Sequence, residues 1–408
     1  MNSLKLIKAA VSAVVCTAAI AVSSMAVSAA DWYVSPSGND SNAGTYSKPF
    51  KSLMKAQDAA SSGDTVYMLG GTYKNFSIAN SDSNYNYIHQ FTKSNITYRA
   101  YSSKNPPVFD FSGTTTSKRV AGFHVKKGVS NVTFLCMKVT GVPVGSQKQS
   151  ECFRVEGNAT LNQVTCYNAN ANGFYFCYNG TGKVIKCDAY NLYTSNSTSN
   201  SNTDGFGAHG NGVTFQQCRA WSCGDDGFDC LTSKGANTFD GCWAYNMTKG
   251  GDSNGFKIGG YGTGKVPSTV PVHTVKYCLS ANNACNGFYA NHQPGQSANW
   301  TYNTAYGNRK ANFNMLERVS PTDSTDIAGT REVLRYNISY NGAISNIGKG
   351  TKVGSCSWNS AYKCTADDFV SLDASQMTKA RGSNGTLPNI TFMHLKSDSD
   401  LKGLGCFN

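Results

Sequence analysis

Apolar residues along most of this chain come in short alternating runs, rich in Val, Phe, Tyr and Thr and broken by Gly, Asn and Ser. Such runs predict short strands, and windows of helical period are few. One such window follows the turn-rich stretch from Asp31 to Phe50. There Phe50, Leu53 and Met54 fall at i, i+3 and i+4, Gln57 interrupts the stripe, and Leu53, Ala56 and Ala60 continue it one register over. With Pro49 ahead of it, this predicts one short amphipathic helix. From DTVYMLGGTYKNF (64 to 76) onward the pattern is that of an all-β chain.

The strands also repeat. The triplet x-Gly-Phe recurs as Asn172-Gly173-Phe174, Asp204-Gly205-Phe206, Asp226-Gly227-Phe228, Asn254-Gly255-Phe256 and Asn286-Gly287-Phe288, with Asn312-Phe313 as a degenerate sixth copy. Most copies are preceded by a Val/Phe-rich strand ending in cysteine or its equivalent, as in VTCYNAN, VIKCDAYN, VTFQQCRAWS, FDGCWAYN and VKYCLSAN, and Asn is usual four positions later. Cys166, Cys187, Cys218, Cys242 and Cys278 are spaced by roughly 20–35 residues, the period of solenoid coils carrying variable loops.

A coil of this kind buries its apolar face only by stacking on the next, so each mark becomes a column. Phe174, Phe206, Phe228, Phe256 and Phe288 are expected to stack inside. Asn170, Asn191, Asn246 and Asn282 are expected to form an amide ladder at a bend, and the five cysteines a buried thiol ladder. The predicted architecture is a single-domain parallel β-helix. The helix near Phe50 would close its first coil, and the segment from about 342 to 408, where the repeat fades, would pack along the solenoid.

Composition adds the compartment and the partner. Lys5 and Lys8 precede an apolar, small-residue run from Ala9 to Val27 that ends in Val27-Ser28-Ala29. This predicts a secretory signal over residues 1–29, a mature chain over 30–408, export, and no membrane span. Lys and Arg outnumber Asp and Glu by 36 to 24, a net charge of +12 that falls to about +10 without Lys5 and Lys8. The charge points to an anionic partner such as an acidic polysaccharide, or to a solvated basic face; the scattered basic residues and lack of a recognition motif argue against nucleic acid.

Of the 15 cysteines only Cys16 falls in the signal segment, which leaves an even number. Stacked parallel strands seldom offer bridging geometry, so the ladder members are expected to be free, against the alternative of a disulfide framework. Cys223 with Cys230, and Cys356 with Cys364, are close enough in sequence to pair.

The charge chemistry is concentrated in three phrases, TDGFG (203 to 207), GDDGFD (224 to 229) and NGFKIGG (254 to 260). Equivalent residues on neighbouring coils sit about 4.8 Å apart, so Asp204 and Asp226, which replace the usual Asn, become neighbours, and Asp225 and Asp229 join them. Asp229 and Lys257 each follow a repeat Phe and share a position. Oxygen-only carboxylates on rigid strands suit a hard cation such as Ca²⁺, and the alternative is an acidic patch balanced by Lys and solvent. Neither His209 nor His292 shows the paired spacing of a zinc site, and both are expected to hold turns by hydrogen bonds. Beside such a site Lys257 can act as a base if its pKa is lowered, or serve as an ion-pair partner of Asp229. Arg309 and Lys310, about two coils later, are candidates to pair with carboxylates of an acidic polymer, or are simply solvated.

On these motifs, together with WYVSPSGNDSNAGT, KPFKSL, GDTVYMLGGTY, DDFVSLD and SDLKGLG, the chain resembles the pectate lyases of polysaccharide lyase family 9. The resemblance implies a right-handed parallel β-helix and Ca²⁺-dependent β-elimination of polygalacturonate by a secreted enzyme expected to act as a monomer. It also implies Ca²⁺ ligands at Asp204, Asp225, Asp226 and Asp229 and a base at Lys257; the many cysteines depart from the family pattern. NTDG (202 to 205) and GDD (224 to 226) also resemble the motifs of inverting polygalacturonases. However, AHG (208 to 210) lies upstream of the acidic pair, and FKI stands where an RIK is expected. A non-catalytic, pectin-binding β-helix is the third reading.

Overall fold

Short strands, nearly all paired in parallel with their equivalents on neighbouring coils, wind into a solenoid whose inner columns are set by the repeat. The structure, a computed structural model, describes residues 29–145, 149–193, 202–261, 266, 269–292 and 298–408. The segment read as a secretory signal lies outside them apart from Ala29. One sheet has 11 strands and the other large sheet 20. The smaller carries the repeat, with Glu151–Val155, Asn172–Phe176, Phe206–Ala208, Phe228–Asp229, Phe256–Lys257, Asn286–Tyr289 and Ala311–Asn314 as successive neighbours. The larger forms the remaining walls of the coil.

The aromatic column runs further than the five expected residues. Phe123, Phe153, Phe174, Phe206, Phe228, Phe256, Phe288 and Phe313 are in register and fully buried. Successive ring centroids lie 4.6 to 5.6 Å apart. Each buried ring contributes about 1.5–3 kcal/mol by leaving water. Glycine precedes six of these Phe, and close approach fixes it there. A Cβ at Gly205 would lie 2.7 Å from the Gly227 carbonyl oxygen, and one at Gly227 would lie 2.6 Å from that of Gly255.

Two expected columns need correction, and one slip explains both. Cys187, Cys218, Cys242 and Cys278 occupy equivalent turn positions, each just before a strand of one parallel column. Cys166, however, pairs with Ala189, two residues out of that register. Counting four residues from Cys166 therefore misplaces Asn170, and the ladder position belongs to Asn168. Asn168, Asn191, Asn246 and Asn282 all have φ between 47° and 57°, the left-handed bend that Asn tolerates. Asn191 donates its side-chain amide to Asn168 Oδ1 at 3.1 Å.

All 14 described cysteines are free, so neither Cys223 with Cys230 nor Cys356 with Cys364 is bridged. Cys223 turns its thiol to the Ala189 carbonyl, whereas Cys230 accepts from the Gly259 N–H; the intervening strand Phe228–Asp229 carries them to different walls of the coil. The ladder thiols donate to backbone carbonyls instead, as Cys187 does to Ile185 at 3.3 Å and Cys218 to Val184 at 3.2 Å.

The helix spans Leu53–Ala59, with Ser52 as its N-cap accepting from the Lys55 N–H. Leu53 and Ala56 are buried against the first coil. Gln57, which breaks the apolar stripe, is buried because it binds the Tyr85–Phe91 strand through the Gln90 carbonyl (3.1 Å) and reaches the Thr92 N–H just beyond it (2.8 Å). At the other end Phe369, Met377, Phe392 and Leu401 pack on Trp243, Leu279 and Ile338 from the outer wall. Buried Asp188 anchors this C-terminal segment, holding Arg219 and Arg381 at 2.7 Å each, while Arg219 also binds the Met377 and Lys379 carbonyls.

Candidate active site

Because side chains alternate along a strand, the residue after each inward Phe points outward. In register these residues, with Gln90 after the equivalent His89, form one row: Gln90, His124, Arg154, Tyr175, Gly207, Asp229, Lys257, Tyr289 and Asn314. The residue before each Gly-Phe pair forms a second line at the strand entry, tied through the side-chain oxygens. Asn172 Oδ1 accepts from the Asp204 N–H (2.6 Å), Asp204 Oδ1 from the Asp226 N–H (3.1 Å), and Asp226 Oδ1 from the N–H (2.8 Å) and side-chain amide (2.9 Å) of Asn254. Asp can replace Asn here because only its oxygen is used, and the second oxygen is left for other work.

The two lines meet at Asp204, Asp225, Asp226, Asp229 and Lys257, all buried to at least nine-tenths. Carboxylate oxygens of Asp204, Asp225 and Asp226 lie within 4.8 Å of one another, and those of Asp204 and Asp229 are equally close to His209. Lys257 Nζ stands 3.2 Å from Asp226 Oδ2, 3.5 Å from Asp229 Oδ2 and 2.7 Å from Asp252 Oδ2. An adjoining cleft of about 350 Å³ is lined by Tyr175, Asp204, His209, Asp229, Asp252 and Lys257, among others.

Burial and mutual repulsion push the Asp204 carboxyl well above the usual range. Burial raises Asp226 as well, against the attraction of Lys257, and lifts Asp225 to about 6. For Lys257, burial alone would lower the pKa, but Asp229, Asp226 and Asp252 outweigh it and hold the ammonium above its ordinary value. The lowered pKa expected from the sequence is therefore not a property of the protein groups by themselves. Carboxylates in excess over one ammonium, with Asp226 Oδ2 lacking a well-directed donor, fit a hard divalent cation. Among the described residues, Asp204, Asp225, Asp226 and Asp229 could hold it.

Sequence reasoning missed Asp252, the nearest partner of Lys257. It lies in the loop before the strand, outside the repeat register, and only its spacing of five residues hinted at it. His209 does hold a turn, its Nδ1–H donating to the Leu231 carbonyl at 2.8 Å, but its Nε2 faces the cleft without a partner. His292 bonds Asp326 at 2.5 Å. Arg309 and Lys310 are exposed in the turn before Ala311–Asn314 and do not line this cleft.

A family profile described as "Pel9A-like, right handed beta helix region" matches residues 32–341. Pectate lyase L of Dickeya chrysanthemi is 28% identical over 389 residues, covering 92% of this chain and 85% of that protein. Pectate lyase PEL9 of Emericella nidulans is 26% identical over 408 residues, covering 90% and 93%. Among solved structures, a rhamnogalacturonan lyase superposes with a TM-score of 0.86 at 32% identity, covering 93% of this chain and all of that one. Pectate lyase Pel9A superposes with a TM-score of 0.69 at 28% identity, covering 92% and 91%. With its aromatic column, its glycine approach points and its acidic cluster where the two lines meet, the chain belongs to the Pel9A-like right-handed β-helix family of polysaccharide lyases.

Proposed function

We propose that this chain is a secreted pectate lyase, cleaving (1→4)-α-D-galacturonan by β-elimination with Lys257 as base and Ca²⁺ held by Asp204, Asp225, Asp226 and Asp229. The observation that carries this reading is the pairing of Asp229 with Lys257 in the outward row, beside three more buried carboxylates. Bound there, Ca²⁺ would neutralise the uronate carboxylate and the negative charge that develops next to it. Lys257 takes the proton from the carbon bearing that carboxylate, the bond to the leaving glycosidic oxygen breaks, a carbon–carbon double bond forms, and the oxygen takes a proton from solvent. The amine must be neutral to do this, and neutralising Asp226 and Asp229 removes the attraction that holds its proton.

Residues 30–408 would act as one exported catalytic unit after loss of 1–29. Among the described residues no helix is long and apolar enough to cross a membrane. A second reading, an alternating rhamnose–galacturonate backbone as substrate, is favoured by the higher TM-score to the rhamnogalacturonan lyase. Both polymers are incubated with the enzyme, with and without a chelator, while ultraviolet absorbance of unsaturated product is recorded. Calcium-dependent absorbance from polygalacturonate supports the first reading, and absorbance from the alternating polymer alone supports the second. Reducing ends without absorbance would mean hydrolysis and would overturn both.

A further inference from the structure

Next to the acidic cleft, and sharing Tyr175, His209 and Thr232 with it, runs a groove of about 680 Å³ with the opposite polarity. Its lining carries three cationic side chains, Arg119, Arg154 and Lys234, and no carboxylate, whereas the acidic half carries Asp204, Asp225, Asp229 and Asp252. Arg154 belongs to the same outward row as Lys257, four rungs towards the N-terminus, which is ~19 Å at the strand spacing. Gly207 and Tyr175 fill the rungs between Arg154 and Asp229, so the floor there carries no charge.

The guanidiniums are built in place. Arg154 is 5% exposed, donates to Glu156 (2.8 Å) and to the Tyr85 hydroxyl (3.0 Å), and its carbon lies 4.5 Å, 5.4 Å and 5.8 Å from the ring centres of Tyr85, Tyr178 and Tyr175. Arg119 shares the Tyr85 hydroxyl at 3.2 Å, and its buried Nε has no partner. The Tyr85 proton is directed to buried Glu151, which lies behind the arginines and does not line the groove. Lys234 is exposed at the rim. Fixed forks among aromatic faces recognise carboxylates on sugar rings directly, by charge-assisted bonds.

We propose that this basic groove is a second carboxylate subsite, which takes a uronate of the same glycan about four rungs from the base without a metal. The proposal rests on the reading of the chain as a lyase of acidic polysaccharides. The carboxylate at the reacting end meets a cation on the aspartates, while the distant one meets Arg119, Arg154 and Lys234. Only oligosaccharides long enough to span both halves gain from it.

The test uses Lys234→Ala, Arg119→Ala and the double variant in the full chain. Binding of a saturated octagalacturonate is measured by calorimetry in chelator at low and high salt, and kcat/KM is measured for octamer and trimer with Ca²⁺. The expected result is about a tenfold loss of octamer affinity in chelator, shrinking at high salt, and about a tenfold fall in the octamer-to-trimer ratio of kcat/KM. Unchanged octamer affinity and an unchanged ratio in folded variants would overturn the proposal. Should Arg119→Ala not fold, Lys234→Glu reverses an exposed charge and reads the same two quantities. The chelator arm involves no turnover, so failure of the lyase reading, seen as no unsaturated product from either polymer, is separate from failure of the groove.

Discussion

Asp226 is the residue at which stability and the proposed cation site are set against each other, and Asp226→Asn separates them. Three other ladder positions, Asn172, Asn254 and Asn286, already hold an amide, and the substitution keeps the oxygen that accepts both bonds from Asn254. The charge is what changes. Carboxylate oxygens of Asp204 and Asp225 lie within 4.8 Å, and each repulsion is worth at least ~3.5 kcal/mol at an effective dielectric near 20. Attraction to Lys257 at 3.2 Å returns ~5 kcal/mol on the same scale.

The balance is a relief of about 2 kcal/mol on removing the charge, or a rise in Tm of roughly 2–3 °C for a chain this long. The same change takes one of four carboxylates from the proposed cation site, so calcium affinity falls by at least about tenfold. Thermal unfolding is followed by circular dichroism in chelator and again in calcium, with calorimetric titration beside it. The parent gains Tm on adding calcium, whereas the variant starts higher and gains little. A variant less stable than the parent in chelator, or one that keeps the full calcium-dependent rise, would refute the argument that these acids are held together against their own repulsion.

Lys257→Ala abolishes formation of unsaturated product while calcium and polymer binding persist in calorimetry; loss of binding together with turnover would make the lysine a structural partner only. Asp188→Ala strands Arg219 and Arg381 and costs about 3–5 kcal/mol, read from chemical denaturation and from proteolysis of the C-terminal segment. Burial would raise the Asp188 carboxyl, but the two arginines outweigh it and hold it below the usual range. Its contribution is thus present above the unfolded pKa of about 3.9 and lost as pH falls through the folded value, so the variant has a flatter acid limb. A thiol reagent added to the native enzyme should leave Cys187, Cys218, Cys242 and Cys278 untouched, and guanidinium should expose 14 reactive thiols in the mature chain; a lower count would reveal bridges. Arg309→Ala and Lys310→Ala, both exposed, should raise KM for polygalacturonate by less than about fivefold.

The x-Gly-Phe triplet made the strand register legible because steric necessity fixes both of its marks: no side chain fits at the glycine, and the ring fills the core. From that register the pairing of Asp229 with Lys257 follows directly. The same rule reaches Tyr175, which follows the complete copy Asn172-Gly173-Phe174, and also Arg154, but the first rungs are degenerate and hide the latter. Ala121-Gly122-Phe123 lacks the leading Asn or Asp, and Glu151-Cys152-Phe153 lacks the glycine. The cysteine mark misled at Cys166 for a different reason. The Asn158–Ala169 strand runs straight through a left-handed Gln163, so the bend that elsewhere immediately precedes the cysteine comes two residues too early. Asp252 and the pinning arginines of the C-terminal segment were beyond reach, since their positions depend on loops and on contacts from distant parts of the chain rather than on any period.

The stacked rings set a further condition on when the enzyme can exist at all. Asp204, the GDDGFD trio and Lys257 ride on three successive turns, and no pair of turns holds the whole set. A chain emerging from its N-terminus therefore carries unneutralised negative charge on the growing tip until the third of these turns docks. On the proposed reading competence would arrive with that docking, because a chain cut anywhere before it lacks the lysine that pairs with Asp229.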